Sequence, residues 1–536
     1  MPAELSATLR PAPGSVRPGA ADPGAASDEP RGAGGMAHTM LSGLLWTLMG
    51  TGARGMGQLL VLIVLARLLT VRDFGIVNAA LVVVGVAVTI SQFAVAPAMV
   101  QIPDLRMTHI RVAFTLSLLG GVALLGLTWW SADLLARFFR LEPLAAVLRT
   151  MSLCFPLQAA FTVAEFLLQR KMRFRLLAIL DAVTYALGYG LIGIGLALFG
   201  FGFWAFVAAY CAQIVARAVF LLVIQPHPMI PLLERRALQE LVRFGGGMML
   251  AKLANYAAGQ GDSAVVVRSL GAEALGLYGR AIQLMVMPAM YIGDVLDRVL
   301  FPGMARFQDD PKQLGLAYGR AVALIALVSL PVSAGLLVLA PEIVRVLLGP
   351  KWTGITAPLQ IFAAAMLFRT SYKISDATVR AAGAVYRRAS RQAIYALLVV
   401  AGAWAGTRWG LAGVAVGVSG AIVVNFLLMA HLTLTMANLS WAQFWRAHLP
   451  GAALALVVAL QLEVVSALFR QWQAPPLLTL SVATATALAT LPLLLHHAPR
   501  LFLGRDGTWL LRLLRPHAAR YAGLTGCLRW ILREPA

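Results

Sequence analysis

The sequence predicts an all-α integral membrane protein of about 14 transmembrane helices, built as two pseudo-symmetric six-helix lobes plus two peripheral helices. Three observations carry that prediction. The 536 residues are 60% hydrophobic and 12% charged, with a mean hydropathy of +0.78; soluble domains carry about 25% charged residues. Apolar runs approaching or exceeding the roughly 17–25 residues needed to span a bilayer recur along the chain. A short signature in the first half of the chain returns in the second.

Residues 1–40 are rich in Pro, Gly and Ala and have no apolar run behind a basic one. They are therefore not a secretory signal, and a disordered cytoplasmic tail is expected. The first lobe, 41–225, holds candidate helices at 43–68, 74–99, 109–130, 145–168, 175–199 and 202–224. The second, 226–435, holds 244–266, 274–300, 315–339, 356–379, 391–407 and 410–434. The seventh helix is weakly apolar, and the eleventh and twelfth almost fuse at Arg408–Gly410. Two more helices, 448–468 and 476–496, fill the segment 436–498. The loop Ala340–Thr353 sets Glu342, Arg345 and Lys351 against Ile343, Val344, Leu347 and Leu348, a pattern expected on the membrane surface. The tail, 499–536, mixes Arg505, Arg512, Arg515, Arg520, Arg529 and Arg533 with Trp509, Leu513 and Trp530. It reads as a basic amphipathic cytoplasmic anchor for anionic lipids.

The net charge of +21 does not point to nucleic acid, because the basic residues punctuate apolar spans instead of forming one soluble face. Clusters such as Arg170, Lys171, Arg173 and Arg175, or Arg380, Arg387, Arg388 and Arg391, fall on the N-terminal side of the alternation. That bias places both termini in the cytoplasm and favours an even helix count. No outward loop exceeds about 20 residues, too little for an extracytoplasmic catalytic domain. Cys154, Cys211 and Cys527 lack metal-ligand spacing and read as unpaired. No metal, phosphate-loop or nucleophile–base constellation stands out, so neither an enzyme nor a cofactor is expected.

Arg67-Leu68-Leu69 leads to Phe74-Gly75-Ile76, and Arg268-Ser269-Leu270 leads to Leu275-Gly276-Leu277, an offset of 201 residues. Ala132-Asp133-Leu134-Leu135 resembles Pro341-Glu342-Ile343-Val344 at the ends of the third and ninth helices. Helices 1–6 and 7–12 thus form parallel repeats, an arrangement in which substrate binds between halves that rock.

At these motifs the chain resembles a family. Trp46, Leu65-Ala66-Arg67-Leu68-Leu69-Thr70 and Asp73-Phe74-Gly75 look like the opening of bacterial polysaccharide flippases. So do Arg170-Lys171-Met172-Arg173-Phe174-Arg175, Gly200-Phe201-Gly202-Phe203-Trp204-Ala205 and Leu275-Gly276-Leu277-Tyr278-Gly279-Arg280-Ala281. Leu300-Phe301-Pro302 and Leu348-Gly349-Pro350-Lys351-Trp352 complete the set. Over residues 40–435 the chain resembles the Wzx-like polysaccharide-transport branch of the multidrug/oligosaccharidyl-lipid/polysaccharide flippase superfamily. The resemblance implies translocation of undecaprenyl-diphosphate-linked oligosaccharide across the bacterial inner membrane. It implies partners such as a polysaccharide polymerase and export machinery, and a chain that works as a monomer. It transfers no invariant site residues.

Charges inside apolar helices mark the candidate site, because a charge at mid-bilayer costs about 2.5–3.5 kcal/mol unless it meets water or a partner. Arg280, Gln283, Tyr291, Asp294 and Arg298 fall within about 80° of one helix face. Helix 1 aligns Thr47, Thr51, Arg54 and Gln58; helix 7 aligns Lys252, Asn255, Gly259 and Asp262; helix 10 aligns Arg369, Lys373, Asp376 and Arg380. Arg54 and Lys252 sit on repeat-equivalent helices and are expected to face each other. The candidates for binding diphosphate and sugar are Arg54, Lys252, Asn255, Arg280, Gln283, Tyr291, Arg369 and Lys373: arginine gives phosphate paired donors, and amides and aromatic faces suit sugar. Glu165, Asp181, Asp262, Asp294 and Asp376 are candidates for a coupling H+ or Na+ site or for gating ion pairs. A cation-coupled drug antiporter of the same superfamily is the nearest alternative, and would favour carboxylates in its cavity. A membrane polymerase or ligase would want a large outward loop.

Overall fold

In the computed structural model the described residues are 55–91, 99, 102, 104–306, 310–504 and 506–508. All are helix, turn or short connection; none is strand. The N-terminal tail, the first part of helix 1 and most of the C-terminal tail lie outside them.

The first half runs α1 (Gly55–Leu68), α2 (Val71–Ser91), α3 (Met107–Phe139), α4 (Pro143–Arg170), α5 (Phe174–Leu198) and α6 (Phe203–Ile224). The second half opens with one long helical run, Arg235–Arg306, broken at Gly271 (φ 87°, ψ −179°). A side chain is strained at that dihedral, so glycine makes the break between α7 (235–270) and α8 (272–306). The first half makes the equivalent break with a capping box. Thr70 accepts from the Asp73 amide at 3.2 Å, and Asp73 accepts from the Thr70 amide at 2.9 Å. Then follow α9 (Pro311–Val338), α10 (Thr356–Ala381), α11 (Val385–Gly406), α12 (Gly410–Ala437), α13 (Trp441–Gln471) and α14 (Pro476–His497).

Nine helices among the described residues are long and apolar enough to cross a membrane, with α11 and α12 counted as one stretch. The chain is a multi-pass membrane protein. Missing from those nine are α7, α8 and α10, which carry polar stripes, and α1, whose described part is short.

Packing follows the repeat. Within the first half α3 lies on α4 and α5 on α6; within the second α10 lies on α9 and α12, and α11 on α12. Small residues let α11 and α12 touch backbone to backbone: a Cβ on Gly402 would sit 2.6 Å from the Gly417 carbonyl oxygen. The two halves meet where α2 crosses the long α7–α8 run. There a Cβ on Gly75 would lie 1.7 Å from the Ala272 carbonyl oxygen, and a Cβ on Gly276 2.1 Å from the Val71 oxygen. Val71 and Ala272, like Gly75 and Gly276, are repeat equivalents, so the contact is reciprocal. The α13 helix packs along α9, and α14 lies on α13. Their outer faces are broadly exposed, as lipid-facing helices are.

One expectation is corrected. The polar residues of 340–353 do not all face out: Arg345 and Lys351 are exposed, but Glu342 is buried. The segment forms a short helix, Ala340–Leu347, and a 3₁₀ turn, Pro350–Ile355, and Glu342, Val344 and Trp352 are buried. The cause is a tertiary partner: Arg470, at the end of α13, donates to both Glu342 oxygens at 2.8 and 3.0 Å.

Candidate functional site

Four of the motifs that carry the family resemblance, at residues 65–75, 200–205, 275–281 and 348–352, converge on the α1–α2 turn. Asp73 starts α2, and its other oxygen accepts from the Phe203 amide at 3.1 Å, capping α6 as well. Gly202, before Phe203, has φ 56° and ψ −136°, which brings the turn against Asp73 without a side chain. From the second half, Trp352 Nε1 donates to the Ala66 oxygen at 2.9 Å, and Lys351 Nζ donates to the Arg67 oxygen at 2.9 Å and to that of Leu69. Arg67 in return donates to the Val346 oxygen at 2.6 Å. A lysine ammonium at these last carbonyls also complements the negative end of α1. At this end, then, the two halves are joined by hydrogen bonds and by the Gly75–Gly276 crossing.

Behind the crossing, α2 carries Asn78 and α8 carries Arg280. They open onto a cavity of about 300 Å³ walled by α1, α2, α5, α6 and α8. Leu62, Leu65, Phe74, Val77, Leu81 and Phe206 are its apolar lining; Asn78, Gln213, Gln283, Tyr185 and Tyr189 supply polar atoms and ring faces. Arg280 is the cation among the described lining residues. Its guanidinium carbon lies 4.6 Å from the centre of the Phe74 ring, one Nη donates to Gln283 Oε1, and the other to Asn78 Oδ1 at 3.3 Å. Both partners are neutral amides. Arg280 Nε is shut off from solvent with no partner, and no described carboxylate lies within ion-pair distance of the side chain. A guanidinium in a low-dielectric cavity, oriented by dipoles but not neutralised, attracts an anion.

The other expected residues lie elsewhere or outside the described set. Arg54 falls outside the described residues, as do the side chains of Tyr291 and Asp294. Lys252 is half-buried and Asn255 exposed on α7; neither lines this cavity. The helix-10 stripe divides. Arg369 lies near Tyr395 and Asp262, and Asp262 accepts from the Tyr278 hydroxyl at 2.7 Å. Asp376 accepts from Arg380 Nε at 3.0 Å and from Arg388, tying α10 to α11. Lys373, between them, does not line the cavity. Glu165 and Asp181 share Arg217: its guanidinium lies 3.1 Å from Glu165 and also binds Asp181, which joins α4, α5 and α6. Among the expected residues whose side chains are described, Arg280 and Gln283 alone line the cavity.

Asn78, Gln213, Tyr185 and Tyr189 were not singled out from the sequence. The signal that marks them is slight: Tyr185 and Tyr189 are one helical turn apart in a mostly apolar span, and Asn78 and Gln213 are uncharged.

Comparison with known proteins agrees with this architecture. The sequence pattern of a family described as "Polysaccharide biosynthesis protein" matches residues 64–357. Over 340 residues the chain is 24% identical to the lipopolysaccharide biosynthesis protein WzxC of Escherichia coli (strain K12), covering 62% of this chain and 67% of that protein. It is 29% identical over 318 residues to the succinoglycan biosynthesis transport protein ExoT of Rhizobium meliloti (strain 1021), covering 59% of this chain and 64% of that one. Among solved structures, the lipid II flippase MurJ in an inward closed conformation shares the fold, with a TM-score of 0.64 at 14% identity over 82% of this chain and 97% of that chain.

Proposed function

The chain belongs to the polysaccharide biosynthesis protein family, and from that premise we propose that it is a transporter, a flippase for lipid-linked oligosaccharide. It carries undecaprenyl-diphosphate-linked repeat units from the cytoplasmic to the periplasmic leaflet of the bacterial inner membrane, for exopolysaccharide, capsule or O-antigen synthesis. The names of WzxC, ExoT and MurJ support the reading, and the observation that carries it is the unneutralised Arg280 between the two halves. A diphosphate leaving headgroup water needs fixed donors and a compensating charge, which Arg280 with Gln283 and Asn78 supplies. The same charge repels a cationic drug.

In this reading the chain crosses the membrane about 14 times with both termini cytoplasmic. Residues 41–225 and 226–435 are the rocking lobes, and 436–498 a peripheral pair beside which the lipid tail runs. The α1–α2 turn, with Lys351 and Trp352 on it, then closes the periplasmic end. The Glu165–Arg217–Asp181 and Asp262–Tyr278 clusters are the candidates to respond to a coupling H+ or Na+. A polymerase and export machinery take the product on the far side, and the chain acts as a monomer.

The test is flipping of fluorescent lipid-diphosphate sugars by purified protein in liposomes. Wild type moves them. Arg280→Ala loses about 10–150-fold, because a hydrogen bond to a charged group contributes about 1.5–3 kcal/mol, and Arg280→Lys retains part of the rate. Export of cationic dyes without movement of any lipid-diphosphate glycan would instead establish a drug antiporter.

A further inference from the structure

We propose that Tyr185 and Tyr189 form a stacking subsite for the sugar joined directly to the diphosphate, so that the cavity reads the lipid-proximal sugar. This rests on the flippase reading and goes beyond it by naming what is recognised besides phosphate. The two rings lie on the α5 wall, with centroids 4.9 Å apart and planes inclined by 24°, and both are half-buried on the cavity that holds Arg280. Tyr189 is braced edge-on by Phe206, with centroids 6.2 Å apart.

Local structure explains how α5 presents them. Directly after Tyr185 the helix widens into a π-helical stretch, Ala186–Gly193. Such stretches are uncommon and gather at functional sites. Here Gly188 and Gly193 both press against α6 at Ala209: an added Cβ would sit 2.6 Å from the Ala209 oxygen at the first position and 3.0 Å from its Cβ at the second. The widened turn keeps both glycines on α6 while Tyr185 and Tyr189 line the cavity.

The chemistry fits a pyranose. A sugar ring has one face rich in C–H bonds, which lies favourably on an aromatic face, and hydroxyls around its rim, which need amides. Gln213 and Asn78 stand on the same wall system. If Arg280 holds the diphosphate, the sugar one glycosidic oxygen away is the one within reach of the rings. The cavity volume of about 300 Å³ is at the low end of small-molecule pockets, about 300–1,000 Å³. That suits a sugar phosphate.

The experiment compares binding of two probes, undecaprenyl diphosphate and undecaprenyl-diphosphate-glucose, to the detergent-solubilised full chain. Wild type prefers the glycosylated lipid. Tyr185→Leu/Tyr189→Leu lowers affinity for that lipid about tenfold and leaves the bare lipid unchanged. Tyr185→Phe/Tyr189→Phe keeps the preference, since the ring faces remain. Arg280→Ala weakens both lipids. Equal affinity of wild type for the two lipids overturns the subsite, and so does an equal loss for both in the leucine variant. Should wild type bind neither lipid, the flippase reading itself falls, a result distinct from loss of sugar preference alone.

Discussion

Replacing Gly75 or Gly276 with alanine drives a wedge into the place where the two halves cross. An added Cβ at Gly75 meets the Ala272 oxygen at 1.7 Å, and one at Gly276 meets the Val71 oxygen at 2.1 Å. Unstrained C···O contacts sit near 3.3 Å, so the starts of α2 and α8 must part by roughly 1.2–1.6 Å. Backbone on one side leaves no flexible group to move aside. Overpacking of this kind costs about 1–3 kcal/mol, and in the rocking cycle proposed above it falls on the closed arrangement only. The expected result is a 5–150-fold shift toward the state open at this end. The assay is a spin-label distance between cysteines at Arg72 and Glu273, both exposed and repeat-equivalent, with Cys154, Cys211 and Cys527 replaced. Wild type shows one short distance; Gly75→Ala and Gly276→Ala each add a longer population. The double variant is less than additive, since both wedges open one contact. An unchanged distance distribution in both single variants would refute the reasoning.

Two further outcomes are expected from the same turn. Asp73→Ala removes the caps of α2 and α6 together and should cost about 1–4 kcal/mol, at about 0.5–2 kcal/mol for each cap; thermal unfolding in detergent measures it, and an unchanged midpoint would mean the caps are replaced by water. Trp352→Ala empties a fully buried site, and should lower stability by about 3–5 kcal/mol. Lys351→Ala removes donors at the bundle's end and should instead shift the Arg72–Glu273 distance, with a smaller loss of midpoint than Trp352→Ala.

Helices were legible in the sequence because burial in lipid demands long apolar runs whose backbone bonds are satisfied internally. The segments 145–168, 356–379 and 410–434 match α4, α10 and α12 to within a few residues. The 201-residue repeat was legible too, and reappears as the reciprocal Gly75–Ala272 and Gly276–Val71 contacts. Arg280 was visible because a full charge in an apolar helix is expensive enough to stand out. Its surroundings were not. Asn78, Gln213, Tyr185 and Tyr189 cost little in a span, and helical phase says which face a residue shares but not which helix that face meets. Arg369 and Asp376 share a face of α10, yet seven residues separate them by about 10 Å along the axis, so one lies near Asp262 and the other binds Arg388. Ala340–Thr353 has a surface pattern, but Arg470, more than a hundred residues on, buries Glu342. Sequence alone determined the membrane fold, the duplication and the cation. The choice of partners across helices was left to tertiary packing, since contacts between distant segments leave no periodicity in the chain.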